Sequence, residues 1–196
     1  MKKIVFLSLV ILVSSSVVWA QEKVDASTLN IGDQWRYRGK SGNEWTEEVT
    51  AIEKDIYVIR QGKKLQGYDK LTLNLSYIIE DGKKIKYTDF HAKFLNFPLS
   101  VGKTWSGIVR TNPRAANREI NFMEEYVVSS FEDVKVLAGT FKTFRIGYKV
   151  KRMEGKGSYE GNGILWYSPE VKWVIKWNEE NIARKIDFEL VSYSLK

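Results

Sequence analysis

Phe144-Arg145-Ile146-Gly147-Tyr148-Lys149-Val150-Lys151 alternates large apolar residues with polar or small ones without a break. Successive side chains of a β-strand point to opposite faces of a sheet, so this stretch predicts a strand with one buried and one solvated face. Val171–Asn178 repeats the pattern, with its tryptophans and Ile175 predicted on one face. Leu71–Ile79 also alternates, with its odd-numbered residues predicted on one face of a single strand. Helical periodicity is nearly absent after the first twenty residues, so the pattern favours an antiparallel β protein.

Glycine-containing turn signals separate the predicted strands. Gln61-Gly62 and Asp81-Gly82 each follow an apolar run and precede a pair of lysines, which predicts two successive hairpins with lysine-bearing tips. Gly161-Asn162-Gly163 is also interpreted as a turn. Hairpins that follow one another predict an all-β fold, either a single antiparallel, strongly curved sheet or an open up-and-down β-barrel.

The N-terminus is predicted to be a signal peptide. Met1-Lys2-Lys3 is a short basic start, Ile4–Val13 is almost uninterruptedly apolar, and Val18-Trp19-Ala20 offers a cleavage site. The apolar run is shorter than the roughly 20 residues that a membrane-spanning helix needs. We therefore expect residues 1–20 to be removed and residues 21–196 to form a single β domain without a transmembrane segment. The protein is expected to be exported, with the periplasm as its location.

The charges of the chain are interspersed, which limits its partners. The sequence contains 31 basic and 24 acidic residues, and two of the basic ones, Lys2 and Lys3, lie in the predicted signal peptide. Without a basic stripe, no nucleic-acid partner is expected, while a peripheral contact with an anionic membrane surface stays open. The sequence has no cysteine, so no disulfide is expected and the core must stabilise the domain alone.

Residues suited to catalysis are scarce. His91 is the only histidine, which together with the lack of cysteine argues against a His/Cys zinc site and a Ser-His-Asp triad. Carboxylates are adjacent at Glu47-Glu48, Glu124-Glu125 and Glu179-Glu180, where a strand would turn the two side chains to opposite faces. No catalytic residue, metal site or cofactor is predicted, and we expect the protein not to be an enzyme.

Aromatic residues are the one surplus of the sequence. Tryptophan occurs seven times, and six of these residues lie beyond the predicted signal peptide. Large aromatic rings either fill the core of such a domain or line a concave surface for an apolar or sugar ligand, and both uses are compatible with an open barrel. The candidate ligand-binding residues are Trp35, Tyr37, Trp105, Phe144, Tyr148, Trp166, Trp173 and Trp177.

Three segments together resemble the TapB-like family of exported bacterial β proteins of unknown function. They are Phe97-Pro98-Leu99-Ser100-Val101-Gly102-Lys103-Thr104-Trp105, Ala138-Gly139-Thr140-Phe141-Lys142-Thr143-Phe144-Arg145-Ile146 and Leu165-Trp166-Tyr167-Ser168-Pro169-Glu170-Val171-Lys172-Trp173-Val174-Ile175-Lys176. The resemblance covers roughly residues 28 to 195. It implies an antiparallel, strongly curved sheet similar to an open barrel, and it implies no reaction, cofactor or catalytic residue.

These observations favour an exported, non-catalytic β domain that binds an apolar small molecule or lipid on an aromatic-lined concave face. One alternative is a structural or interaction module of the cell envelope that contacts another protein and holds no small ligand. Another, less favoured, is a carboxylate-dependent hydrolase, which would need two distant carboxylates such as Asp33 and Glu160 to meet in one cleft.

Overall fold

The computed structural model describes residues 23–86, 93–111, 120–153, 160–180 and 186–196. Fourteen β-strands account for the regular structure of these residues: β1 (Lys23–Val24), β2 (Gln34–Gly39), β3 (Glu44–Glu53), β4 (Ile56–Gln61), β5 (Lys64–Asp69), β6 (Leu75–Glu80), β7 (Lys83–Lys86), β8 (Leu99–Ser100), β9 (Thr104–Thr111), β10 (Ile120–Val136), β11 (Gly139–Arg152), β12 (Glu160–Ser168), β13 (Trp173–Glu180) and β14 (Asp187–Ser194). Within the described ranges, no helix is long and apolar enough to cross a membrane. The predicted signal peptide and His91 lie outside the described residues.

Twelve of the strands form one antiparallel sheet in the order β7-β6-β5-β4-β3-β2-β14-β13-β12-β11-β10-β9. Each half of the sheet is a meander, β2–β7 in one half and β9–β14 in the other, and the halves join where β14 pairs with β2. The predicted all-β class and antiparallel main sheet are therefore confirmed, and β1 and β8 form a separate two-stranded sheet. The sheet is not closed into a barrel, because β7 and β9 lie at its opposite ends.

Contacts between distant strands show how strongly the sheet curves. The rings of Tyr68 in β5 and Trp173 in β13 meet edge to face with their centroids 5.1 Å apart. Four strands lie between β5 and β13 in the sheet order, so in a flat sheet the two would be about 24 Å apart. In the other half, Ala138 in the β10–β11 turn donates its N–H to the carbonyl of Leu190 in β14 at 3.0 Å. The sheet therefore bends far enough to bring these distant strands into contact.

The concave face of the sheet holds the core. Trp35, Tyr37, Phe144 and Ile146 are all buried there, which agrees with the alternation predicted for Phe144 and Ile146. The N-terminal segment also enters the concavity: β1 pairs with β8, and Leu29 is completely buried. The connections therefore fill part of the space that the curved sheet encloses.

A second segment crosses the concave face and is here named the strap, residues 93–98. The amide of Asn74 holds it from one side, donating to the carbonyl of Leu95 at 2.7 Å and accepting the N–H of Leu95 at 3.2 Å. Trp105 holds its first residue, because the indole Nε1 donates to the carbonyl of Lys93 at 2.7 Å. These contacts place Phe94 and Leu95 over the concave face.

The structure corrects the prediction for Leu71–Ile79. The strand begins only at Leu75, because the carboxylate of Asp69 accepts the N–H groups of Leu71 and Thr72 and stabilises a turn. Leu71 is exposed in that turn. Further along, Tyr68 pairs with Leu75 and Gly67 pairs with Tyr77, so Ser76 is the extra residue of a β-bulge. A bulge breaks the alternation of faces that the sequence suggested.

The two predicted hairpins are confirmed, whereas the predicted turn at Gly161–Gly163 is wrong. β4 pairs with β5 around Gly62, and β6 pairs with β7 around Gly82. Gly161–Gly163, in contrast, lie within β12. Gly163 is paired with Tyr148, whose ring lies where a β-carbon would be, so glycine serves here as a site for a covering aromatic ring and not as a turn residue.

Candidate ligand-binding site

The pleat of β3 turns Glu47 towards the concave face and Glu48 away from it. Glu47 is half-buried beside aromatic rings, whereas Glu48 forms an ion pair with Arg60 at 2.5 Å on the opposite face. The adjacent carboxylates are thus separated as the strand pattern predicts.

Two indole groups hold the carboxylate of Glu47. Trp173 donates its Nε1 hydrogen to Oε2 at 3.2 Å, and Trp45 donates to Oε1 at the longer distance of 3.4 Å. Burial raises the pKa of Glu47 to about 7, against the lowering effect of these two hydrogen bonds. None of the ion pairs formed by the described residues involves Glu47.

Glu47 lies in the wall of an apolar cavity, here named the inner chamber. Its volume is about 230 Å³, and its lining is mainly aromatic and aliphatic. The strap closes one side of the chamber with Phe94 and Leu95. The remaining lining residues come from five strands and adjoining turns: Tyr37, Tyr68, Leu73, Asn74, Leu75, Trp173, Val174, Trp177, Ile186 and Phe188.

A more polar cavity of about 660 Å³, here named the vestibule, adjoins the inner chamber. Four residues line both cavities: Glu47, Tyr68, Ile186 and Phe188. The rest of the vestibule wall carries mostly polar groups, from Lys40, Ser41, Asn43, Gln61, Gln66 and Asp187, together with Trp45. Glu47 therefore lies at the junction of an apolar chamber and a polar entrance.

Aromatic contacts fix the shape of this junction. Trp173 stacks on Trp35 with centroids 5.2 Å apart, and Tyr68 meets Trp173 edge to face. On the other side, Phe188 packs edge to face against Tyr37 at 5.0 Å and against Trp45 at 5.5 Å. The rings thus brace one another, which keeps the chamber wall in place without a ligand.

A second group of titratable side chains lies elsewhere on the concave face, here named the carboxylate–tyrosine cluster: Glu124, Tyr126, Tyr148 and Glu179. Tyr126 donates its O–H to Glu124 Oε2 at 2.5 Å, and Tyr148 donates to Glu179 Oε1. The second oxygen of Glu179 accepts the backbone N–H of Ile186 at 2.9 Å. Burial raises the pKa of Glu124 to about 6, with a further contribution from Glu179, and burial also raises the pKa of Glu179.

Packing closes the carboxylate–tyrosine cluster. Phe94 of the strap contacts the rings of Tyr126, Tyr148 and Trp177, and Trp105 stacks on Tyr126 with centroids 5.1 Å apart. Glu124 and Glu179 are both buried. The cluster is therefore a covered hydrogen-bond network.

The eight predicted site residues separate into four groups. Tyr37, Trp173 and Trp177 line the inner chamber, and Trp35 supports it from behind. Tyr148 is a member of the carboxylate–tyrosine cluster, and Trp105 covers it by stacking on Tyr126. Phe144 is completely buried against Phe131.

Trp166 lies apart from the other seven. Its neighbours Leu165 and Tyr167 are completely buried on the concave face, so Trp166 points to the opposite face. There it pairs across the sheet with Arg145 and Lys176, and its indole donates to Glu132 Oε1 at 3.2 Å.

Sequence reasoning missed the three inward-facing glutamates. Glu47, Glu124 and Glu179 each belong to an adjacent carboxylate pair, and in each pair one member faces the concave side. The available signal was a carboxylate at a position whose strand neighbours two residues away are aromatic, as with Trp45 and Glu47 or Glu124 and Tyr126.

The two carboxylates considered for a hydrolase have separate structural roles. Asp33 is buried, accepts the N–H groups of Asn30 at 2.9 Å and Lys196 at 2.7 Å, and pairs with Lys172 at 3.6 Å. Glu160 pairs with Lys151 at 3.4 Å and is largely exposed. Among the described residues, no group of three or more His, Cys, Asp and Glu side chains could hold a metal ion.

Comparison with known proteins identifies the fold and no family. No family model matches the chain, and no curated protein matches it. The crystal structure of the hypothetical lipoprotein YmcC from Escherichia coli is similar with a TM-score of 0.54 and 10% identity, over 86% of this chain and 89% of that chain.

Two further structures are less similar. A candidate lipoprotein from Parabacteroides distasonis has a TM-score of 0.42 and 15% identity, over 89% of this chain and 100% of that chain. A candidate exported protein with a YmcC-like fold from Bacteroides fragilis has a TM-score of 0.40 and 13% identity, over 87% and 99%. The chain thus shares the fold of YmcC, and its resemblance to the TapB-like family stays a prediction.

Proposed function

We propose that this protein is an exported, non-catalytic module that holds an amphipathic ligand, with the apolar body of the ligand in the inner chamber. The observation that carries the proposal is the inner chamber itself, an apolar cavity on the concave face that adjoins a polar vestibule. Ligand pockets are typically apolar concavities with a few polar groups that fix orientation, and this arrangement fits that description.

The energetics of the chamber favour an apolar occupant. Each methylene group that leaves water for such a site contributes about 0.8 kcal/mol. The strap and the aromatic wall are already in place, so little ordering of the protein is needed when a ligand enters. The polar vestibule then leaves room for the headgroup of the ligand outside the chamber.

Two observations support export to the cell envelope. The basic start, apolar run and cleavage site of residues 1–20 are those of a secretory signal. YmcC, which has a similar fold, is described as a hypothetical lipoprotein, a class of protein found in bacterial envelopes.

Native mass spectrometry of residues 21–196, purified gently after export, tests the proposal. We expect a bound apolar molecule of defined mass that passes into an organic solvent on extraction. An unliganded mass from several expression hosts, together with no binding of added alkyl compounds, would contradict the proposal.

A pair of leucine variants locates the ligand in the chamber. Leu75→Trp adds volume inside the inner chamber, so we expect it to reduce ligand binding at least tenfold. Leu65→Trp is the matched control, because Leu65 is half-buried but pairs with the exposed Arg60, on the outer side of the sheet. Equal loss of binding in both variants would place the ligand elsewhere.

A second candidate function is a protein-interaction module of the envelope. It is favoured by the edge strand β9, whose Ile108 is 54% exposed, and by the neighbouring strand β10, whose outward-facing Val127 is 41% exposed and pairs with Thr104 of β9. The other edge strand, β7, carries lysines that discourage strand addition. A clean unliganded mass combined with a stoichiometric protein partner would favour this candidate.

A further inference from the structure

We propose that the ligand carries an organic ammonium group, which binds to Glu47 and to the aromatic rings around it at the junction of the inner chamber and the vestibule. This inference rests on the proposed function and names the headgroup class of the same site.

Among the described residues, no cationic side chain forms an ion pair with the carboxylate of Glu47. Its two oxygens accept hydrogen bonds from the indoles of Trp173 and Trp45, at 3.2 and 3.4 Å, and none of the ion pairs of the described residues includes it. A carboxylate removed from water is costly unless a cation or several donors compensate it. Each oxygen has a further lone pair, and both cavities border on this side chain.

The surrounding rings favour a cation over other donors. Trp45, Tyr68 and Trp173 adjoin Glu47, and Tyr37 and Phe188 complete the wall. The faces of aromatic rings attract ammonium groups, most strongly when the groups are removed from water. A carboxylate set among aromatic rings therefore matches an alkylated ammonium ion in both charge and surface.

The described residues of the vestibule wall offer no equivalent site for an anion. Lys40 is the lysine in its wall, and it is largely exposed and lies 3.8 Å from Asp187. An anionic headgroup at the junction would also face Glu47, and like charges in a partly buried site repel. The site thus discriminates by charge in favour of ammonium.

The location of Glu47 relates the ammonium group of the ligand to its apolar chain. Glu47 and Tyr68 line both cavities, so an ammonium group at Glu47 directs an attached chain into the inner chamber. A lipid amine and a short alkylamine share this headgroup chemistry, and only the lipid amine would also fill the chamber.

Calorimetric titration at pH 8.5 with octylammonium, octanol and octanoate tests the inference, because the three differ only in their headgroup. Glu47 is ionised at this pH, which lies above its pKa of about 7. We expect octylammonium to bind at least roughly tenfold more tightly than octanol, and octanoate most weakly. Glu47→Gln should remove most of this preference for octylammonium over octanol. Glu48→Gln, on the opposite face of the same strand, is the matched control and should keep the preference.

The outcomes separate the two proposals. If octanol binds as tightly as octylammonium to the wild-type protein, the ammonium inference is overturned and the proposed function stands. If none of the three compounds binds, the proposed function fails and the inference falls with it. The headgroup comparison in the wild-type protein needs no variant, so a folding defect in Glu47→Gln would not obscure it. Weaker binding of butylammonium than octylammonium would support a lipid amine, and equal binding would support a short alkylamine.

Discussion

The inner chamber and the carboxylate–tyrosine cluster are built from similar residue types, but the first borders a cavity and the second is covered. Both place glutamates among tyrosine and tryptophan rings on the concave face, and in both burial raises the pKa of the carboxyl groups, to about 7 at Glu47 and about 6 at Glu124. In the cluster, tyrosine hydroxyls bind the carboxylates and Phe94 covers them. At Glu47, two indole groups donate hydrogen bonds and the space beyond is a cavity.

The hydrogen-bond partners of a buried carboxylate indicate whether its role is structural. A covered network in which the protein itself supplies the partners rigidifies the fold and leaves no site for a ligand. A carboxylate with two weak donors beside an open cavity keeps capacity for a further partner. Burial and aromatic surroundings alone therefore do not distinguish a site from a core, whereas the completeness of the hydrogen bonding does.

Gly163→Ala should disrupt the carboxylate–tyrosine cluster and reduce stability more than the other variants considered below. The new β-carbon would overlap the ring of Tyr148, which Glu179 and Trp177 hold in place, so we expect a loss of about 2–3 kcal/mol in the free energy of unfolding. Gly147→Ala is the control, because its β-carbon would meet Val127 at an ordinary 3.8 Å, and it should change stability by less than about 1 kcal/mol. Urea unfolding followed by tryptophan fluorescence measures both, and equal stability of the two variants would contradict a rigid cluster.

The ionisation of Glu47 should make stability depend on pH, with a smaller effect than that of Gly163→Ala. A carboxyl group with a raised pKa in the folded state contributes its full stability below about pH 4.5, and the contribution is lost as the pH rises towards the folded-state value. For Glu47 this loss should amount to about 1–2 kcal/mol between pH 4.5 and 7, allowing for its partial exposure. Tyr37 and Tyr68, which also face Glu47, have raised pKa values and stay neutral in this range.

The free energy of unfolding of Glu47→Gln should therefore equal that of wild type near pH 4.5 and exceed it at pH 8. Glu48 acts in the opposite sense, since its hydrogen bond with Arg60 lowers its pKa and its contribution is present at high pH. Thermal unfolding of wild type, Glu47→Gln and Glu48→Gln between pH 4.5 and 8 measures these changes in stability. Identical pH profiles of wild type and Glu47→Gln would show that Glu47 ionises without cost.

The fold was predictable from the sequence as far as local alternation extends. Phe144, Ile146 and Tyr148 are buried as predicted, and both lysine-tipped hairpins form. The prediction failed where tertiary contacts override the pattern: Asp69 stabilises a turn before Leu75, and Tyr148 covers Gly163 inside a strand. The pairing of β14 with β2 joins two strands that lie far apart in the sequence, and no local pattern specifies it.

The candidate site was predictable only in part. Alternation identified tryptophans that lie on the concave face, but it could not show that Trp35 is covered while Trp177 borders a cavity. Adjacent carboxylates on a strand face opposite sides of the sheet, so the sequence provided no reason to assign the inward glutamates to a site. A single carboxylate is nevertheless enough to form a site when strands far apart in the chain supply its surroundings. Glu47 receives its donors from β3 and β13, which only the curvature of the sheet brings together.

Trp166→Phe should have the smallest effect and tests whether the aromatic surplus as a whole or only its concave part binds ligand. Trp166 lies on the outer face, where its ring is 5.3 Å from Lys176 Nζ and its indole donates to Glu132. Contacts of this kind contribute little near solvent, so stability should fall by no more than about 1 kcal/mol, and the affinity for octylammonium should stay within about twofold. Trp173→Phe is the matched contrast, because it removes an indole that donates to Glu47, and it should weaken octylammonium binding several-fold in the same calorimetric titration. Equal losses of affinity in the two variants would mean that the outer face takes part in binding, and the assignment of the ligand to the concave face would then be wrong.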